Sequence, residues 1–319
     1  SKRRSNMSTS VRVGTESTAT LGGRRETLIS RIARQTGRMG LLFPAVALMA
    51  VFLVGPIAYS VYGSLTNAAL SGYKAANPEF VGLENYAELL TSNAFWKAVL
   101  LTVIFVFASA VVGQNILGLA LAMLMRKAPK ILSTLVGGVV VIAWVMPEIV
   151  AAFALYAFFS TDGTLNVLLS YIGLGGTTWL LTFPMFSVIM ANIWRGTAFS
   201  MMVYSAALAE VPPEIQEAAK VDGARGWQRF FFVTIPMIKG SISTNLLLTT
   251  LQTLGVFTLL WVMTGGGPGT QSTTLPVMAY QEAFKNSLIG YGTAIATVTI
   301  VLGALFALVY IRALKPEVD

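Results

Sequence analysis

Polar and charged positions give way six times along the chain to apolar runs long enough to cross a bilayer, which needs about 20 residues of helix. The runs are approximately Leu41–Ser64, Ala98–Met125, Ile131–Phe159, Trp179–Ala209, Gly240–Met263 and Asn286–Ile311. Four carry no charge; the third contains only Glu148 and the fourth only Arg195. Barrel strands would alternate polar and apolar over ~10 residues. The pattern therefore predicts an all-α membrane protein with six transmembrane helices. An even number of crossings returns both termini to one side.

Charge fixes which side. Taking both termini as cytoplasmic, the inner segments hold eighteen Lys and Arg, nine of them in the first 40 residues; the outer segments hold only Lys74, Lys97 and Lys285. Basic residues in short loops stay inside, so the termini are read as cytoplasmic. The expected organisation is a basic tail over 1–40, a six-helix domain over 41–312 with a long inner loop at 210–236, and a short tail over 313–319. The start of the first tail is Ser/Thr/Arg-rich, a composition that does not fold alone. Thr27–Met39 reads as a basic helix at the headgroup layer. The first apolar run is too long for a cleaved signal peptide, and Met7 is the candidate natural start.

Composition narrows the chemistry. Of 319 residues 55% are hydrophobic and 11% charged, against roughly 25% charged in soluble domains, so the chain is built to face lipid. The net charge of +8 is spread along membrane borders, which argues against nucleic acid as a partner. Cysteine and histidine are absent. That excludes disulfides, thiolate metal sites and Ser-His or Cys nucleophile systems. No catalytic residue, metal ligand or bound cofactor is expected.

The inner loop runs from Glu210 to Pro236. Pro212 and Pro213 suit a first helical turn, and Glu214 and Glu217 favour its positive end. Gly223 breaks the helix, Asp222 stands at the turn, and a second segment carries Arg225, Trp227 and Arg229. The product is a compact helix–turn–helix suited to docking into another protein.

Glu217-Ala218-Ala219, three residues, Gly223, nine residues and then Val233-Thr-Ile235-Pro236 resembles the EAA loop of bacterial ABC importer permeases. The family usually has Ile and Leu where Val233 and Ile235 stand, a volume-conserving departure. Phe80-Val-Gly-Leu-Glu-Asn-Tyr86 is similar to a segment of the maltose-type carbohydrate-uptake group. So are Thr264-Gly-Gly-Gly-Pro268, Thr273-Thr274 and Gly290-Tyr-Gly-Thr-Ala294. The resemblance covers about Phe80 to the C-terminus. It implies that Glu214–Gly223 is a coupling helix seated in an ATPase subunit, with Glu217 as its key charged contact and Glu214, Ala218, Ala219, Asp222, Gly223 and Arg225 around it. It also implies a second homologous permease, two ATPase subunits carrying ATP and Mg, an extracytoplasmic sugar-binding protein, and the bacterial cytoplasmic (inner) membrane.

Sugars are bound by amides, hydroxyls and flat apolar faces, which a bilayer core tolerates only against protein or water. Asn192, Gly196 and Phe199 share one helical face, and Asn245, Thr249, Gln252, Thr253 and Val256 another. By the resemblance, Asn192, Gly196, Phe199, Thr249 and Thr253 become substrate-pathway candidates, joined by Gln252 and Arg195. The competing reading makes these residues interhelical hydrogen-bonding partners. Glu148 and Arg195 are expected to pair, as isolated membrane charges are costly. Gly265-Gly266-Gly267-Pro268-Gly269 lacks the Lys-Ser/Thr of a phosphate loop and falls outside; it reads as a mobile outer loop facing a substrate-delivering protein. The cargo stays open between a sugar and another polar solute such as glycerol phosphate. A stand-alone ion-coupled transporter is the different-class alternative; it needs no docking loop and usually shows internal repeats.

Overall fold

In the computed structural model, residues 43–313 are described, so the basic tail at 1–40, its Thr27–Met39 helix and nearly all of 313–319 lie outside them. The described residues are helical, with no strand and one isolated bridge, Thr66 to Phe80. The helices are α1 (Phe43–Ser64), α2 (Glu84–Thr91), α3 (Asn93–Lys127), α4 (Lys130–Val145), α5 (Glu148–Phe159) and α6 (Pro184–Ala209). Then follow α7 (Pro213–Val221), α8 (Gly226–Met237), α9 (Lys239–Leu254), α10 (Thr258–Met263), α11 (Leu275–Tyr280) and α12 (Ile289–Ala313). The chain divides at Pro56 into two units. The described part of the first, 43–56, is helical and exposed except at Ala47, which is half-buried.

Four helical runs are both long and apolar enough to cross a membrane: Phe43–Ser64, Asn93–Lys127, Glu148–Ser170 and Ile289–Arg312. A fifth arises if α8 and α9, bent by 71°, form one broken span. α6 has 26 residues, about 39 Å at 1.5 Å each, and carries Asn192, Arg195 and several hydroxyls. Large apolar side chains such as Ile116, Leu124, Leu305 and Leu308 face outward, as lipid contact requires.

Three of the expected spans are broken; Trp179–Ala209 loses its first turn, Trp179–Thr182, at Phe183, and the other two break in mid-run. Ile131–Phe159 divides at Met146-Pro147: Met146 is extended (ψ 131°), as a residue before proline is driven to be, and α5 starts afresh at Glu148. Gly240–Met263 divides at Gly255-Val256-Phe257. Glycine weakens a helix there, and the Glu148 carboxylate accepts the Leu259 N–H at 3.3 Å, stabilising a new N-terminus for α10.

The core lies where α3, α5, α6, α10 and α11 meet. Phe105, Ala152, Val188, Ala191, Leu259 and Leu260 form its centre. A second cluster holds α2, α3, α11 and α12 through Leu89, Phe95, Leu275 and Ile295. The Phe80–Tyr86 stretch latches this end: Asn85 Nδ2 donates to Ser64 O (2.8 Å) and Thr66 O (2.9 Å), and Tyr86 OH meets Ser64 Oγ at 2.6 Å. Gly290 explains the Gly290-Tyr-Gly292 pattern, since a Cβ there would lie 1.9 Å from Thr66 O. The Gly265–Gly269 loop is built rather than loose. Gly265, Gly266 and Gly269 adopt positive φ, Gln281 Nε2 donates to Gly265 O, and Thr273 Oγ1 to Gly266 O.

Candidate coupling loop and substrate pathway

The loop at 210–236 folds as its residues dictate. Pro212 is the N-cap of α7, Pro213 fills the first turn and Glu214 lies at the positive end. At the other end Gly223 takes φ 81°, its N–H bonds Lys220 O at 3.1 Å and the Ala224 N–H bonds Ala219 O at 3.0 Å. That is the Schellman stop, in which glycine's lack of Cβ permits the left-handed turn. Arg225 then begins α8, its N–H held by Gln228 Oε1 at 2.7 Å.

Spacing divides α7 into two faces. Glu214, Glu217, Ala218 and Val221, at i, i+3, i+4 and i+7, are exposed, Val221 by 86%. Gln216 and Ala219 turn inward; Gln216 Nε2 donates to Thr234 Oγ1 at 3.0 Å. The loop is rooted at both ends in one cluster, where Val211 and Ile238 pack with Ala122, Tyr204 and Leu208. The loop is thereby packed against α3 and α6.

The substrate-pathway candidates separate into two groups. Asn192, Thr249 and Thr253 are buried and hydrogen-bonded across helices. Asn192 Nδ2 donates to Ser109 Oγ (2.8 Å) and Thr253 Oγ1 (3.3 Å), and Gln114 Nε2 donates to Asn192 O (3.1 Å). Asn115 is the hub: its amide donates to Ala110 O (2.7 Å) and Thr249 Oγ1 (3.3 Å), and its Oδ1 accepts from Asn245 (2.8 Å) and Tyr204. Asn245 also donates to Ser200 at 2.9 Å. Gly196 faces the Gln114 amide, which lies 2.2–2.4 Å from where a Cβ would stand. In this conformation these residues join helices, as the competing reading expected.

Arg195, Phe199 and Gln252 form the second group, with open surface. Gln252 is exposed, at the edge of the face on which Asn245, Thr249 and Thr253 are buried. Phe199 stacks on Trp144 with ring centroids 6.0 Å apart. Arg195 Nη2 lies 3.7 Å from Glu148 Oε2, both side chains about a quarter exposed. Glu148 thus bridges α6 and the N-terminus of α10.

Sequence reasoning missed Asn115, Ser109, Gln114, Ser200, Tyr204 and Trp144. The available signal was Gln114-Asn115 in the middle of an apolar run, where polar groups need protein partners. Adjacent residues on a regular α-helix diverge by about 100°. A π turn over Val106–Gln114 lets both point inward.

For Glu148 and Arg195, replacing either alone is expected to lower the melting temperature of the purified protein more than Glu148→Gln with Arg195→Met together. Single loss strands a charge, whereas joint loss removes both.

Residues 114–319 match the family of binding-protein-dependent transport system inner membrane components. The chain is 31% identical over 290 residues to the trehalose/maltose transport system permease protein MalF of Thermococcus litoralis, covering 89% of this chain and 96% of that one. It is 33% identical over 285 residues to the sulfoquinovosyl glycerol transport system permease protein SmoG of Agrobacterium fabrum, covering 87% and 90%. Among solved structures it resembles a bacterial ABC transporter involved in the import of the acidic polysaccharide alginate, with TM-score 0.75, 23% identity and coverage of 92% and 99%. With the family model spanning well over half of the chain and these relatives matching nearly all of it, the protein belongs to the inner-membrane permease components of binding-protein-dependent transport systems.

Proposed function

We propose that this chain is the permease subunit of an ATP-driven importer for a sugar, delivered by an external binding protein. The observation that carries it is the exposed face of α7, Glu214, Glu217, Ala218 and Val221, on a helix stopped at Gly223 and rooted beside Tyr204. A second permease and two ATPase subunits complete the machine, with ATP and Mg on the ATPases. Closure of the ATPases pushes α7, and α3 and α6 carry the motion inward as a population shift between two access states. The chain itself performs no covalent chemistry.

In this account the chain crosses the bacterial inner membrane six times, with both termini cytoplasmic. α6 and the bent α8–α9 pair supply the crossings beyond the four most apolar runs. The basic residues at the α7 end and their scarcity at the other support that orientation. The partly open Arg195, Phe199 and Gln252, with Trp144, are the side chains that meet cargo, while the Asn115 network keeps the helices in register.

A sugar is favoured over a phosphate ester because Arg195, the one cation near the pathway among the described residues, already has Glu148 as its counter-charge. The names of relatives that transport trehalose, maltose and sulfoquinovosyl glycerol support the same class. An ion-coupled transporter leaves the exposed α7 face without a purpose. The test is the reconstituted transporter: ATP hydrolysis should rise when binding protein loaded with a neutral sugar is added. Stimulation only by a phosphorylated solute, or hydrolysis indifferent to binding protein, would count against the reading.

A further inference from the structure

Behind α7, on the face opposite Glu217, lies a cleft of about 340 Å³. Arg126 and Lys127, in the last turn of α3, and Arg229, at the first bend of α8, line it with Gln216, over a floor including Met123 and Phe230. No carboxylate lines the cleft, and none of the three cations has an ion pair among the described residues. Arg229 Nε is buried with no hydrogen-bond partner. Three cations converging without a counter-charge make a site for an anion.

We propose that this cleft binds the phosphate of an anionic phospholipid of the inner leaflet, and that the lipid ties the coupling loop to the end of α3. The inference rests on the placement of α7 at the inner membrane surface. Three observations favour lipid over other anions. The preceding turns of α3 expose Ile116, Leu117 and Leu124, so Arg126 and Lys127 stand at headgroup depth. The apolar floor continues toward the exposed Phe231 and Phe232, which offer acyl chains a surface. The outward face of α7 points away from the cleft, so an ATPase docked there leaves it open. Basic pockets between helices on the cytoplasmic side are a recurrent form of headgroup site.

The experiment uses the whole transporter, purified from nanodiscs of mixed phosphatidylglycerol and phosphatidylcholine and weighed intact by native mass spectrometry. Wild type should retain phosphatidylglycerol in preference to phosphatidylcholine. Arg126→Gln with Lys127→Gln, both exposed and safe for folding, should weaken retention about twenty-fivefold, and adding Arg229→Gln about a hundredfold, at roughly fivefold per basic residue. Lys130→Gln with Arg312→Gln, outside the cleft, should change little.

Equal retention of the two lipids, or unchanged retention in the triple variant, overturns the proposal. Displacement of the lipid by excess inorganic phosphate assigns the site to a soluble anion and also overturns it. So does loss of the ATPase subunit from the triple variant with lipid retained, which would make the cleft an ATPase contact. Wild-type ATPase association is scored in the same spectra. Its absence counts against the proposed function and leaves the lipid comparison readable.

Discussion

Glu217→Lys is expected to abolish substrate-stimulated ATP hydrolysis while leaving the permease folded and in the membrane. Glu217 is exposed, has no ion pair among the described residues and lies on a helix whose start and stop are set by Pro212, Pro213 and Gly223. Exposed substitutions away from caps and cores change stability by about 0.5 kcal/mol or less. A carboxylate desolvated in a partner's cleft is different. Truncating one member of such a pair costs about 2–5 kcal/mol, roughly a thirtyfold to several-thousandfold loss of docking, and charge reversal adds repulsion. Glu217→Gln keeps the shape and should fall between the two. The readouts are sugar-stimulated hydrolysis in proteoliposomes and the melting temperature of the variant. Wild-type stimulation in Glu217→Lys would refute the role of this face.

The largest structural effect is expected at Gly118→Val. A Cβ at Gly118 would lie 2.4 Å from Ser200 Cβ and 2.9 Å from the backbone of Ser200 and Met201. Backbone cannot rotate away, so α3 and α6 must separate. Overpacking a close-packed contact costs about 1–3 kcal/mol. Here separation also strains the bonds from Tyr204 to Asn115 and from Asn245 to Ser200, each worth roughly 1 kcal/mol in a membrane protein. Gly118→Val should yield little monodisperse protein. Gly137→Ala, with nothing within 4 Å of its Cβ, should be tolerated. Size-exclusion profiles of the two variants give the comparison, and a well-folded Gly118→Val would show that the helices are not pressed together here.

What the sequence disclosed follows its physics. Hydropathy marks helices because lipid cannot satisfy a bare backbone, and the ends of α7 were legible because proline locks φ at a helical value and glycine readily takes the left-handed turn that ends a helix. The breaks at Met146-Pro147 and Gly255-Val256-Phe257 were hidden because hydropathy continues across them. The first had a local sign in Pro147; the second depends on the Glu148 carboxylate reaching Leu259 N–H from another helix. The expected pairing of Glu148 with Arg195 appears at 3.7 Å, because two membrane charges have few other partners. The Asn115 hub escaped notice because its inward face depends on a π turn, which helical-wheel spacing does not anticipate. The wheel groups Gln252 with Asn245, Thr249 and Thr253, and it stands exposed at the edge of that group.

The central claim, that α7 is where an ATPase meets this permease, is tested most directly by site-specific cross-linking. The chain has no cysteine, so a single one can be placed without background. Val221→Cys, carrying a photoactivated cross-linker, puts the probe on the exposed face of α7, and Tyr171→Cys puts it at an 81% exposed position in the connection between α5 and α6. The account predicts that Val221→Cys forms an adduct with the ATPase subunit and Tyr171→Cys does not. An ATPase adduct from Tyr171→Cys with none from Val221→Cys would contradict it.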